Sequence, residues 1–235
     1  MQVKLILAAT LLLTGILKAD PVPTPFANQY SANFVEDMWI PLRGHQNTTG
    51  TWYYDWTNKK FWLDRQDSAN DRYCGVSEGF KHTSCSMIIT GGRRYLYYPE
   101  LKYCCFCCKD NNGCGMVYPN WFAGAEFKGL HSDSQWTYNT WNAIGLQSNY
   151  VSQIYGGPYD GYTYKIYQDP ESNMVFDPTS YKFDLDPSVF DLPQGLNCQQ
   201  FCPTISLCTA MRRRHIHPEP SSEDVTQTEP ETESS

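Results

Sequence analysis

Beyond residue 17 the chain has no apolar run approaching the twenty or so residues that a membrane-spanning helix needs. It has five histidines, no Gly-x-Ser-x-Gly elbow, no nucleotide-binding glycine loop, and no stretch that holds a 3.6-residue apolar period beyond two turns. It also lacks a basic surplus. The net charge is −7, but residues 218–235 carry six acids and no base, and residues 20–217 set sixteen bases against nineteen acids. These shortages argue against a transmembrane bundle, against a nucleic acid or an anionic membrane surface as partner, and against the common hydrolase and nucleotide-transfer signatures.

Present instead are ten cysteines, seventeen tyrosines, eleven phenylalanines and seven tryptophans. Residues 1–19 read as a secretory signal: Lys4, then apolar residues 5–17, then small Ala19 before the cut. Thiols delivered by such a signal end as disulfides, so the expected location is outside the cell or in an endomembrane lumen. The expected domain spans residues 26–208. Residues 212–235 open on three arginines, continue rich in Pro, Ser, Thr and Glu, and lack the apolar residues to offset ordering, so a disordered acidic tail is expected there.

Within the body the dominant period is two. Trp52, Tyr54 and Trp56 alternate with Tyr53 and Asp55; Phe61, Leu63 and Arg65 alternate with Trp62 and Asp64; residues 57–60 form the turn of a hairpin. Further strands are expected at residues 86–90, 94–98, 101–108, 162–167, 173–176 and 181–185, in the order of an antiparallel meander, with short helical turns at 119–122 and 187–190. The fold class is mainly β, with few short helices and many disulfides.

Five cysteines crowd into eleven residues: Cys104, Cys105, Cys107, Cys108 and Cys114. On a strand, Cys105 and Cys107 face one side, and Cys104, Phe106 and Cys108 the other, so at least two bridges should leave it. Cys74, Cys85, Cys114, Cys198, Cys202 and Cys208 are the candidate recipients, and spacing leaves the pairing open. Cys104/Cys107 and Cys105/Cys108 are each Cys-x-x-Cys pairs, but the distant trio lacks the second knuckle of a zinc ribbon, so no metal is expected.

Several elements resemble a family of secreted proteins of unassigned role from plants and protists, some of them labelled as glycosyl-group transferases, related to the ependymin and lipoprotein-carrier half-barrels. The carriers of the resemblance are Tyr53-Tyr54-Asp55-Trp56, residues 115–122 with Gly115, Pro119 and Trp121, residues 124–129, Asn139-Thr140-Trp141, and a Tyr-rich strand after Pro158. Plant members place a cysteine before the Asn-x-Trp element, where this chain has Tyr138. The resemblance implies a strongly curved antiparallel half-barrel that in carrier proteins holds an apolar ligand.

The aromatic content suits that use, with Trp52, Trp62, Trp121 and Trp141 as candidate ligand contacts and a lipid or other apolar small molecule as the partner. An extracellular matrix or surface-interaction protein without a cavity is the alternative. No cofactor and no enzyme activity are expected. Asp184 and Asp186 match a loose Asp-x-Asp in a solvent-facing context, His45, His82 and His131 stand apart, and Asp64 and Asp67 read as ordinary loop acids. Asn47-Thr48-Thr49 is a glycosylation sequon in an expected turn after Gly44.

Overall fold

The computed structural model describes residues 19–143, 149–168, 172–204 and 206–214; the expected signal over residues 1–18 and the tail from residue 215 lie outside them. Eleven strands are defined: β1 (Gln29–Ile40), β2 (Gly44–Asp55), β3 (Lys60–Arg65), β4 (Cys85–Thr90), β5 (Arg93–Tyr98), β6 (Tyr103–Lys109), β7 (Glu126–Ser132), β8 (Thr137–Ala143), β9 (Asn149–Ile154), β10 (Thr163–Gln168) and β11 (Ser172–Phe176). They form one antiparallel sheet in the order β6-β5-β4-β3-β2-β1-β11-β10-β9-β8-β7. Every neighbouring pair is consecutive in sequence except β1 and β11, which join two meanders, β1–β6 and β7–β11, at a central seam. The mainly β reading holds.

The period of two sorts the side chains. On β1, Tyr30, Ala32, Phe34, Glu36, Met38 and Ile40 all point inward and are buried. Ala32 stands beside Trp52, Trp52 beside Leu63, Leu63 beside Met87, Met87 beside Leu96 and Leu96 beside Cys105, so one apolar row crosses six strands. On the second meander the matching row is Met174, Ile166, Val151, Trp141 and Phe127. Gly50 is glycine for space, since a Cβ there would lie 1.8 Å from the Asp64 carbonyl and 2.6 Å from the Phe34 ring.

Two segments cover the inner face. The connection from β6 to β7 crosses the first meander, held where Tyr54 donates to the Val117 carbonyl (2.9 Å) and Arg94 to the Gly115 carbonyl (3.1 Å). The N-terminal segment crosses the second, where Gln153 exchanges two hydrogen bonds with the Thr24 backbone (2.9 and 2.7 Å) and Trp141 Nε1 donates to the Pro21 carbonyl. On the outer face a smaller cluster forms around Ile88, Tyr95, Cys104 and Cys198, with Trp62, Leu192 and Leu196 against it.

Cys74 pairs with Cys85, Cys104 with Cys198, Cys105 with Cys202, Cys107 with Cys208, and Cys108 with Cys114. Four bridges therefore leave β6. Their faces correct one expectation: a bulge opposite Arg94 and Tyr95 brings Cys108 into line with inward Arg94, so Cys108 joins the inner core and only Cys104 and Phe106 face outward. The Cys107, Cys108 and Cys114 sulfurs lie within 4.8 Å of one another, but each is bonded in a disulfide and none is a thiolate ligand.

Other differences are local. Residues 181–185 contribute a single bridge, Lys182 to Ser31, in place of a strand. Residues 119–122 form turns, with Trp121 N donating to Tyr118 and Ala123 N to Asn120, and no helix. Residues 187–190 do form a 3-10 turn. Asn47 lies in strand β2, exposed on its outer face, and not in a turn. Two short α-helices were not anticipated. α1 (Arg72–Ser77) starts where Asp71 caps Cys74 N, and α2 (Leu207–Arg214) carries ordered chain past the boundary expected at 212. Arg212 donates to the Cys107 carbonyl (2.6 Å) and lies over the Phe201 ring.

The two outer edges of the sheet differ. β6 is covered by the C-terminal segment, with Phe106 N donating to Gln200 O and Cys202 N to Phe106 O. β7, among the described residues, pairs with β8 alone.

Candidate functional site

Where the two covering segments meet over the seam, the inner face leaves a cavity of about 440 Å³. Its apolar wall follows from the register: Trp52, Leu63 and Met87 from the first meander, Ile166 and Met174 from the second, and Trp121 from the covering loop. Trp52 is fixed by edge contacts to Phe61 (4.7 Å between centroids) and Phe176 (5.8 Å). Four methionines, Met38, Met87, Met116 and Met174, line the same space, and their unbranched side chains adapt to irregular shapes.

One end of the cavity is charged. Arg65 Nε lies 2.8 Å from Glu36 and 2.9 Å from Asp71, and all three residues are at most 3% exposed. Glu36 also accepts from the Ser172 hydroxyl (2.7 Å), and Asp71 is held by its helix cap. Burial alone would lower the Arg65 pKa, yet the two carboxylates hold it above its ordinary value. Burial raises Asp71 above the usual carboxylate range, with Arg65 opposing. Arg94 lies in the row of Phe61 and Ile89, four residues along from Arg65, about 13 Å at ~3.3 Å per strand residue. Burial pulls its pKa down to about 10.

Three donors of cavity-lining residues, Trp52 Nε1, Arg65 Nη1 and Trp121 Nε1, are buried with no hydrogen-bond partner among the described residues. A wider groove of about 990 Å³ on the outer face, flanked by Asn33, Thr51, Gln66, Trp136 and Asp177, is more open and lined by a mixture of polar and apolar side chains. It offers less burial than the inner cavity, which is the better site for an apolar molecule.

Of the four tryptophans named from the sequence, Trp52 and Trp121 line the cavity. Trp62 points outward and donates its indole N–H to Asp64. Trp141 faces inward but lies under the N-terminal segment, outside the cavity. His45 and His82 each meet an exposed-side aspartate, Asp37 and Asp67, both at 2.8 Å. Asp186 caps a 3-10 turn at Ser188. The Glu36–Arg65–Asp71 cluster and the methionines were not anticipated. The alternation of β1 alone would have placed Glu36 inward, two residues from Phe34 and Met38.

No family model and no curated protein matches the chain. Among solved structures it is similar to an uncharacterised conserved protein from Thermus thermophilus, at 7% identity and a TM-score of 0.45, covering 73% of this chain and 91% of that one. It is also similar to a LolA superfamily protein from Nitrosomonas europaea, at 7% identity, TM-score 0.37, with 72% and 93% covered. A third is PNGF-II, at 12% identity and TM-score 0.37, covering 80% of this chain and 33% of that chain, about a third of its length. At these scores none of the three bears on the chemistry of the cavity.

Proposed function

We propose that this chain is a non-catalytic binding module, secreted or lumenal, that holds an apolar or amphiphilic small molecule in the inner cavity. The carrying observation is the cavity itself: its volume falls within the usual range for ligand sites, and its wall is built from Trp52, Leu63, Met87, Ile166 and Met174, with flexible methionines at several points. At roughly 30 Å³ per water-sized atom group, 440 Å³ accommodates about fifteen heavy atoms. Five disulfides suit an oxidising compartment. The non-catalytic reading rests on the polar end, where Ser172 donates to a Glu36 already engaged by Arg65, and no histidine among the described residues lines the cavity.

The test is native mass spectrometry of protein purified from its own host, beside a Met87→Trp variant that fills the cavity. Wild type should carry a small adduct that the variant, with an unchanged circular dichroism spectrum, lacks. Absence of any adduct and of any saturable uptake of decane or decanamide would reject the carrier reading. Release of a chemically altered ligand would reject the non-catalytic part.

A further inference from the structure

The inner cavity is bounded by a ring that the N-terminal segment carries. Along residues 21–26 the buried side chains are Pro23 and Phe26, and the carbonyls that accept from the sheet are those of Pro21, from Trp141 Nε1 (3.1 Å), and Thr24, from Gln153 Nε2 (2.7 Å). Each set is three residues apart, the repeat of a polyproline II helix, and Pro21, Pro23 and Pro25 hold φ near the value that this helix needs. The segment is therefore stiff. Its end is pinned where Phe26 N donates to the Pro119 carbonyl (2.8 Å). The Phe26 ring, 6% exposed, packs among Phe122 (5.5 Å between centroids), Tyr54 (5.9 Å) and Tyr30 (6.0 Å).

A second space of about 300 Å³ adjoins the same residue and is lined by Tyr30, Tyr162, Tyr181 and Phe183. Among the described residues, Phe26 alone lines both this space and the inner cavity, and its ring neighbour Tyr30 is a wall of the second space. Resting on the proposed carrier function, we infer that Phe26 sets the length of the ligand. A single apolar chain fills the inner cavity and ends against the Phe26 ring, and the aromatic space behind the ring stays unused. At roughly 30 Å³ per atom group, opening that space would add about ten heavy atoms to the fifteen or so that the cavity takes.

Titration of the intact chain with decanol, dodecanol, tetradecanol, hexadecanol and octadecanol, delivered from cyclodextrin and read by native mass spectrometry and tryptophan fluorescence, tests this. In wild type the affinity should climb about fourfold per methylene as far as tetradecanol and go no higher for the two longer alcohols. In Phe26→Ala, with an unchanged circular dichroism spectrum, the climb should continue, leaving octadecanol about tenfold or more tighter than tetradecanol. If that variant does not fold, Phe26→Leu, which keeps an apolar side chain in the core, should move the limit to hexadecanol. A climb through octadecanol in wild type, or the wild-type limit in a folded Phe26 variant, would overturn the inference and leave the carrier reading intact. Binding of none of the alcohols would remove both.

Discussion

The two meanders belong to one sheet and are closed by different means. Around β1–β6, all five disulfides tie strand, covering loop and C-terminal segment together, and apolar cores lie on both faces. Around β7–β11 there is no disulfide among the described residues. Its cover is held by polar contacts, Gln153 with Thr24 and Trp141 with Pro21, and within the sheet Asp133 accepts from Tyr164 (2.8 Å) and Lys165 (3.0 Å). A disulfide-stapled half thus stands beside a hydrogen-bonded half, and the cavity is lined from both.

The sharpest way to break the contrast is to cut the staples of the first meander. Cys104–Cys198, Cys105–Cys202 and Cys107–Cys208 span 94, 97 and 101 residues, but they run side by side, so once one is closed the others close loops of only a few residues. Loop-closure entropy gives about 4.7 kcal/mol for the first and roughly 2 kcal/mol for each of the rest. Loss of any single bridge should therefore cost about 2 kcal/mol in urea denaturation, and the triple replacement of Cys198, Cys202 and Cys208 by serine roughly 9 kcal/mol. Three equal, additive losses would show that the bridges act independently.

Next in size is Arg65→Met, which leaves Glu36 and Asp71 buried against each other and should cost about 3–5 kcal/mol in urea denaturation. On the second meander, Asp133 titrates usefully. Burial would raise its pKa, but the Gln135 and Trp136 N–H groups, Lys165 and Tyr164 hold it well below the ordinary carboxylate range. A depressed folded-state value means stabilisation that is present above the unfolded Asp pKa of about 3.9 and is lost as the pH falls through the folded value. Asp133→Asn should lower stability by about 1 kcal/mol at neutral pH and flatten the acid limb of the stability profile. An unchanged acid limb would mean that Asp133 does not hold this half together.

The smallest effects are expected at the periphery. Asn47→Gln, on the exposed face of β2, should shift stability by under about 0.5 kcal/mol and remove a glycan-sized mass from protein made in a secreting host. Removal of residues 215–235 should leave the melting temperature and the secreted yield unchanged, whereas removal from residue 212 should lower both, since Arg212 bonds to the β6 backbone.

The hairpin from Trp52 to Arg65 was legible because bulky residues alternate cleanly there, and β4 to β6 were also expected, whereas the start of β2, with Asn47-Thr48-Thr49, read as a turn. β1 was not legible, because Ser31, Asn33, Glu36 and Asp37 interrupt the apolar code, and the partners that satisfy inward Glu36 lie 29 and 136 residues away. β7 and β8 read as polar because backbone and side-chain hydrogen bonds, such as Thr140 to Ser152, replace part of the apolar packing that would have marked them. α1 has Gly75 and Cys74 within six residues and depends on the Asp71 cap and the Cys74–Cys85 bridge more than on propensity. For the cavity, aromatic mass alone selected Trp62 together with Trp52. The same alternation that places Phe61 and Leu63 inward sends Trp62 to the other face, so side, more than residue type, separates the two.

The unequal edges bear on self-association. A sheet that is to add copies without limit needs a receptive backbone at both ends, one to accept the last copy and one to offer to the next. Here the β6 end is occupied by its own chain and locked there by sulfur bridges, while β7 is bare of any further strand among the described residues. Two copies meeting β7 to β7 would consume both bare ends and leave only sealed ones outside. Edge pairing by this molecule thus terminates at two, and the geometry that admits a pair forbids a fibre.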